Sequence, residues 1–211
     1  MIRALAALER LREGNRRFVS DLRSGHAMTS HDRRTEVAAG QEPFAIILGC
    51  SDSRVPAEIV FDQGLGDLFV IRVAGNIVAP SQVGSVEFAA ERYHTRLVVV
   101  LGHSQCGAVL ATVEELSSAA EDPRRPGKHS LHSIVDRVRP SVEPLMVAGL
   151  SGGQLIDEAV RANVRVSANH LRHGSGILED LIRKNDLLVV GAEYSLESGL
   201  VDFFDGIPAA P

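Results

Sequence analysis

The organisation of this chain follows from the stretch IILGCSDSR at residues 46–54. Its apolar run predicts a buried strand that ends at a glycine, and small, polar or reactive side chains come directly afterwards. The stretch VVVLGHSQCG at residues 98–107 repeats this plan, with an apolar run, a glycine and then residues able to bind a metal. Chemistry is therefore expected where these two strands end.

Four predicted strands separated by helical stretches indicate the fold class. The strands are expected at residues 44–48, 68–73, 97–101 and 187–190, and residues 194–204 are a candidate edge strand or hairpin. Strands that alternate with helices imply right-handed crossovers and a parallel sheet covered by helices on both faces. We predict an α/β fold with a central, mostly parallel sheet of four strands and this added edge strand.

The chain of 211 residues has no linker-like tract, so we expect one domain over residues 1–211. An amphipathic helical arm would occupy much of residues 1–40, and the α/β core residues 41–211. The arm is predicted as a helix over residues 2–24, packed on its own domain or on a neighbouring subunit. Its apolar side would be formed by Leu5, Leu8, Leu11, Asn15, Phe18 and Leu22. Further helices are expected at residues 29–39, 82–93, 107–116, 131–147, 154–173 and 175–184, and a loop at residues 117–128.

Composition and charge exclude several classes of function. The chain is 45% hydrophobic and 23% charged, which is typical of a globular protein, and no apolar run reaches the about 18 residues that cross a bilayer. A net charge of −5 with both signs interspersed gives no electrostatic footprint for nucleic acid. The N-terminal residues lack the pattern of a secretory signal. We expect a cytoplasmic protein with neither nucleic-acid nor membrane partners.

Cys50, His103 and Cys106 are the candidate metal ligands, because thiolate and imidazole are ligands that zinc prefers. Ligand sites in parallel sheets lie outside the carboxyl ends of the strands, so these residues can meet although fifty-three positions separate Cys50 from His103. A disulfide and two inert buried thiols are the alternatives. With no third cysteine in the chain, the set favours a catalytic site with an open fourth position over a closed structural site.

Asp52 and Arg54 follow Cys50 closely and bear on that fourth position. Asp52 could be a fourth ligand in a closed state, or it could accept a hydrogen bond from zinc-bound water while Arg54 holds it. A plain surface ion pair, worth less than about 1 kcal/mol, is the third alternative. The residues alone do not decide between these roles.

With these residues in view, the sequence resembles the β-class carbonic anhydrases. The segments CSDSR at residues 50–54 and HSQCG at residues 103–107 match that family's two signatures, and the likeness extends over about residues 41–204. The resemblance implies a carbonate dehydratase that hydrates carbon dioxide reversibly to bicarbonate and a proton. It implies one Zn²⁺ per subunit, held by the two cysteines and the histidine, whose bound hydroxide attacks CO2. The pair formed by Asp52 and Arg54 would orient that hydroxide.

The resemblance also assigns the substrate-binding positions. Gln41 matches a glutamine that donates a hydrogen bond to substrate across a subunit boundary, which implies a homodimer or homotetramer. Gly107 matches a position whose backbone N–H faces the substrate. Phe69, Ala74 and Phe88 match the apolar wall of a CO2 pocket, with ordinary core packing as the alternative.

The sequence departs from the family at one point. In some members, bicarbonate bound beside a tryptophan, an arginine and a tyrosine moves the aspartate onto zinc. Arg72 and Tyr194 match two of these residues, but Ile47 replaces the tryptophan. We therefore expect Asp52 to stay off the metal and bound to Arg54. Two other functions remain open, namely hydrolysis of carbonyl sulfide or carbon disulfide at the same zinc site, and non-catalytic binding of zinc or bicarbonate.

Overall fold

The computed structural model describes residues 2–22, 28–121 and 132–208. Its strands are β1 (Ala45–Gly49), β2 (Leu68–Arg72), β3 (Leu97–His103), β4 (Leu188–Tyr194) and β5 (Val201–Asp205). They form one sheet in the order β2-β1-β3-β4-β5, in which the first four strands are parallel and β5 is antiparallel to β4. The predicted α/β class, the mostly parallel sheet and its edge strand are confirmed.

The helices cover both faces of this sheet. They are α1 (Ala4–Val19), α2 (His31–Val37), α3 (Ala57–Val60), α4 (Pro80–Arg92), α5 (Gly107–Glu121), α6 (His132–Val147), α7 (Gly152–His173) and α8 (Gly176–Arg183), and a 3₁₀ turn spans Ala74–Asn76. The four predicted helices from residue 82 onward, other than α5, agree with the structure to within two residues. None of the helices in the described part of the chain is long and apolar enough to cross a membrane.

Several predicted boundaries were wrong. The loop predicted at residues 117–128 is helical up to Glu121, because the alanine-rich sequence continues the helix, and residues 122–128 lie outside the described chain. The arm ends at Val19 rather than residue 24, since Asp21 adopts a φ of 55° that a helix does not allow. Residues 23 and 24 also lie outside the described chain. The strands β3 and β4 continue past their predicted ends to His103 and Tyr194.

The helix α1 packs on the core of its own chain. Leu8 and Leu11 are buried beside residues of β1, β3 and β4. The Asn15 side chain donates hydrogen bonds to the carbonyl oxygens of Val60 and Gly199, at 3.2 and 2.8 Å, and accepts one from the backbone N–H of Val201 at 2.9 Å.

Two leucines of the predicted apolar side are exposed instead. Leu5 is 58% and Leu22 is 71% exposed. Leu5 lies about 120° round the helix from the buried Leu11, and Leu22 lies beyond the end of the helix, so the prediction was wrong for both.

The order of the strands creates a crevice between β1 and β3. The chain passes from β1 to β2 on one side and later returns to place β3 on the other side of β1. At such a switch point the two connections leave in opposite directions, and ligands bind outside the carboxyl ends of the strands. Residues 50–54 and 103–107 begin at this crevice.

Candidate metal centre

Cys50, His103 and Cys106 meet at the switch point. One ligand atom from each, the two Sγ atoms and an imidazole nitrogen, lie within 4.8 Å of one another, and all three residues are buried. Cys50 directly follows β1, His103 ends β3 and Cys106 directly precedes α5. Both cysteines carry free thiols, so the alternative of a disulfide between them is not observed. We call these three residues the Cys-His-Cys cluster.

His103 has the hydrogen bonding of a metal ligand. Its Nδ1 lies 2.9 Å from the carbonyl oxygen of Ser104, so Nδ1 carries the proton and Nε2 keeps a free lone pair. The side chain is fully buried, and Nε2 has no hydrogen-bond partner among the described residues. Leaving a buried polar atom unpaired costs free energy, and a cation bound to the lone pair removes that cost. Two sulfurs and this nitrogen therefore fit a zinc ion in both chemistry and placement.

The two thiols have opposite pKa shifts. The pKa of Cys50 is lowered to about 4, chiefly because the Cys106 thiol donates a hydrogen bond to the Cys50 sulfur. The pKa of Cys106 is raised, because its proton is engaged by Cys50 and because burial disfavours a second thiolate. These opposite shifts favour one thiolate and one thiol in the metal-free pair, and a divalent cation bound to both sulfurs would displace the remaining proton.

Asp52 lies beside the Cys-His-Cys cluster and is held by Arg54. Asp52 Oδ1 accepts hydrogen bonds from Arg54 Nε at 2.9 Å and from the Arg54 backbone N–H at 3.0 Å, while Oδ2 accepts one from Nη2 at 2.7 Å. These bonds hold the pKa of Asp52 well below its usual range. Asp52 Oδ2 also lies 3.9 Å from His103 Nε2, so an ionised carboxylate oxygen faces the metal position.

Arg72, at the end of β2, fixes the loop that carries Cys50 and Asp52. Its Nε donates to the Cys50 carbonyl oxygen at 2.9 Å, and its Nη2 donates to the Asp52 carbonyl oxygen at 2.5 Å. Ile47 is completely buried in β1, and Tyr194 is buried in β4, where it pairs with His103. Arg72, which the family resemblance places beside a bicarbonate ion, thus donates its hydrogen bonds to the loop that carries Cys50 and Asp52.

The substrate-binding positions fall in two places. The rings of Phe69, Phe88 and Tyr93 lie with centroids 5.6 to 6.2 Å apart, and Gln41 Nε2 donates to the Tyr93 hydroxyl at 3.0 Å. These four residues are called the aromatic patch. Phe88 is 50% exposed, so core packing does not account for it. The side chain of Gln41 makes no hydrogen bond to the Cys-His-Cys cluster within the described chain.

Ala74 and Gly107 are the positions beside the cluster. Ala74 begins the 3₁₀ turn, and Gly107 begins α5 immediately after Cys106. A Cβ added to Gly107 would meet no atom within 4 Å, so the space beside its backbone is open.

Sequence reasoning missed two contacts to the cluster. The backbone N–H of Gly75 donates to Cys50 Sγ at 3.4 Å, and the Ser104 carbonyl oxygen engages His103. Gly75 after the predicted strand at residues 68–73 was a visible sign of a turn, but the sulfur that its N–H would reach was not visible. Backbone groups carry no side-chain signature, so the Ser104 contact had no signal at all.

Together the fold and the cluster define a doubly wound α/β protein in which two thiols and an imidazole at the switch point could hold a metal ion. A family model described as carbonic anhydrase matches residues 45–201. Carbonic anhydrase 2 of Mycobacterium tuberculosis (strain CDC 1551 / Oshkosh) is 41% identical over 195 residues, covering 92% of this chain and 90% of the relative. The carbonic anhydrase of Mycolicibacterium smegmatis is 38% identical over 198 residues, covering 94% and 92%.

Solved structures agree with these relatives. The β-carbonic anhydrase CcaA superposes with a TM-score of 0.73 at 26% identity, over 97% of this chain and 94% of that chain. A Coccomyxa β-carbonic anhydrase, solved with acetazolamide, gives a TM-score of 0.72 at 25% identity, over 91% and 83%. The chain belongs to the β-carbonic anhydrase family and is an enzyme of the carbonate dehydratase type, whose reaction is the hydration of CO2.

Proposed function

We propose that this chain hydrates carbon dioxide reversibly with one zinc ion per subunit, held by Cys50, His103 and Cys106. The observation that carries the proposal is that the buried His103 Nε2, which has no hydrogen-bond partner among the described residues, belongs to a cluster with two buried free thiols. A zinc ion bound there would supply a Lewis acid that ionises water near neutral pH.

Asp52 and Arg54 would orient the attacking nucleophile. Arg54 occupies Asp52 Oδ1 with two donors and Oδ2 with one, so the carboxylate stays ionised and its position is fixed. Because Oδ2 also faces the metal position, it can accept the hydrogen of the nucleophile and leave the lone pair directed at carbon. Arg54 is half exposed, so the pair contributes little to stability, and orientation is its proposed role. The resting enzyme would keep Asp52 off the metal.

Carbon dioxide would bind in an apolar pocket beside the metal. Ala74 would line this pocket from the same chain, and Phe69 and Phe88 would complete its apolar wall from the aromatic patch of a second copy. Such a wall suits an uncharged, linear molecule, and the backbone N–H of Gly107 would face the substrate from the start of α5. The open space beside Gly107 supports this assignment. Bicarbonate, the charged product, would leave the apolar wall readily.

We propose that the enzyme is a homo-oligomer, a dimer or a tetramer. The aromatic patch is exposed in a single chain, where Phe88 is half exposed and Gln41 is exposed. An aromatic ring and a glutamine that serve a CO2 site must face an enclosed pocket and not open solvent. A second copy covering this patch would bury the rings and bring Gln41 towards a site. A matched solved structure, 21% identical to this chain, is one of two β-carbonic anhydrases of Sordaria macrospora that are described as tetrameric.

Metal content and stopped-flow CO2 hydration, measured on one preparation, test the proposed function. We expect about one zinc per chain, loss of hydration after chelation and recovery on adding zinc back. His103→Gln should lose both metal and activity, because the third ligand is gone. His170→Gln is the matched control, since His170 is an exposed histidine of α7. A protein without metal would refute the proposal, and a zinc-loaded protein without hydration would favour the non-catalytic alternative.

A further inference from the structure

Asn163 lies in the middle of α7 and is 1% exposed. Its Nδ2 donates a hydrogen bond to the carbonyl oxygen of Gly75 at 2.7 Å, across 88 positions of the chain. Its Oδ1 has no hydrogen-bond partner in the described residues. A half-paired carboxamide is costly in a core, so the bond to Gly75 is the interaction that accounts for an asparagine here.

Gly75 connects this carboxamide to the Cys-His-Cys cluster. While its carbonyl accepts from Asn163, its N–H donates to Cys50 Sγ at 3.4 Å. The two groups flank a single α-carbon, so a contact that fixes the carbonyl restricts where the N–H points.

The backbone of this turn needs an external contact to keep its shape. Gly75 has a φ of 73° and Asn76 a φ of 43°, so two consecutive residues occupy the left-handed region. Glycine enters that region without a steric penalty and asparagine tolerates it better than most residues, and glycine is also the residue with the most freedom to leave it. A Cβ on Gly75 would come within 3.0 Å of Ala108 Cβ, so a stiffer residue cannot replace it.

We propose that Asn163 is a positioning residue of the metal centre, which holds the Gly75 carbonyl and thereby directs the Gly75 N–H at the Cys50 sulfur. An N–H that donates to a thiolate withdraws charge from the sulfur and makes it a weaker electron donor to the metal. This inference rests on the proposed metal site and adds a residue from α7 to it.

The test uses the purified protein loaded with Co²⁺, because sulfur-to-cobalt charge-transfer absorption reports directly on the thiolates. Asn163→Leu removes the donor and keeps the same branching and number of side-chain heavy atoms. We expect the charge-transfer band to move to longer wavelength, since the sulfur keeps more charge. We expect zinc affinity in a chelator competition to fall about tenfold, because the lost positioning of Cys50 outweighs the stronger donation from its sulfur. Asn169→Leu is the control, because Asn169 is an exposed asparagine of the same helix, and its band and affinity should match the wild type.

The outcomes separate positioning from a purely structural role. A lower Tm with an unshifted band and unchanged zinc affinity would overturn the inference. If Asn163→Leu does not fold, Asn163→Ser is judged by the same band and affinity, because the serine hydroxyl is too short to reach the carbonyl. Wild-type protein that binds neither Co²⁺ nor Zn²⁺ would refute the metal site itself, which is a different result from an unaffected variant.

Discussion

Asp52→Asn is the sharpest test of the orienting pair. The variant keeps an oxygen that can accept from the Arg54 Nε and backbone N–H, but it replaces Oδ2 with an NH2 group. Oδ2 is the atom that lies 3.9 Å from His103 Nε2 and accepts from Arg54 Nη2 at 2.7 Å. A donor would then face both the arginine and the nucleophile, so the orienting hydrogen bond is lost.

The expected loss of hydration rate in Asp52→Asn follows from the usual contribution of an orienting group. A positioned group that handles a proton of the nucleophile contributes about 100- to 10,000-fold to rate. Asp52→Asn should therefore raise the barrier by about 2.7 to 5.4 kcal/mol. Zinc content should be unchanged, because both cysteines and His103 keep their places.

The assay is stopped-flow CO2 hydration with zinc measured on the same sample. Asp180→Asn is the matched control, because Asp180 pairs with Arg183 on the surface of α8, and it should keep wild-type rate. Wild-type activity in zinc-loaded Asp52→Asn would refute the orienting role. Loss of zinc would instead mean that Asp52 is a permanent ligand.

Three further outcomes are expected. Asn15→Ala removes the three hydrogen bonds of a buried side chain and should lower the free energy of unfolding by about 3 kcal/mol in urea titrations, at about 1 kcal/mol each, whereas exposed Asn169→Ala should change it little. Phe88→Lys should shift sedimentation towards monomer and reduce hydration, while Ile177→Lys, at a similarly exposed apolar position of α8, should not. In metal-stripped protein, the rate of iodoacetamide labelling of Cys50 should stay nearly constant from pH 8 down to pH 6. The reason is that the pKa of Cys50 is lowered to about 4, and the reactive thiolate persists above the pKa. The labelling rate of an ordinary thiol would fall about 100-fold over the same range.

Each of these has an outcome that contradicts it. Equal unfolding free energies for Asn15→Ala and Asn169→Ala would mean that the three bonds contribute nothing to holding α1. Wild-type sedimentation of Phe88→Lys would mean that the aromatic patch is not the subunit contact. A hundredfold fall in Cys50 labelling would mean that Cys106 does not donate to the Cys50 sulfur.

The sheet could be predicted from sequence because its central strands are buried on both faces. Ile46, Ile47 and Leu48 are all fully buried, so β1 reads as a continuous apolar run, and β3 does the same. The rule of right-handed crossovers then predicted a parallel sheet, but it did not predict the order of the strands within it. Boundaries were less certain, since Gly102 and Gly191 lie inside β3 and β4, where a glycine looks like a strand end. Both glycines avoid Val164 of α7, which a Cβ would approach to 2.5 and 2.7 Å, so the cause is a helix distant in sequence.

The ligands of the candidate site were predictable for a different reason. Cys50 and His103 sit where apolar strands end, and parallel strands end at one edge of a sheet. The supports of these ligands were not predictable, because they are backbone groups and side chains from other elements. Helical spacing places Asn163 on the buried stripe of α7 with Val160 and Val164, and Asn169 outside it, but the spacing does not reveal that the Asn163 partner is the Gly75 carbonyl oxygen.

The supports of the Cys-His-Cys cluster come from the ends of β2 and β3, the two strands that flank β1. Arg72 at the end of β2 holds the Cys50 and Asp52 carbonyls, the turn after β2 brings Gly75 N–H to the Cys50 sulfur, and Ser104 after β3 fixes the His103 tautomer. Because β2, β1 and β3 are adjacent and parallel, these groups are carried by a single rigid sheet edge rather than by independent loops. The metal geometry should consequently depend more on sheet and α7 packing than on the exposed Arg54 side chain.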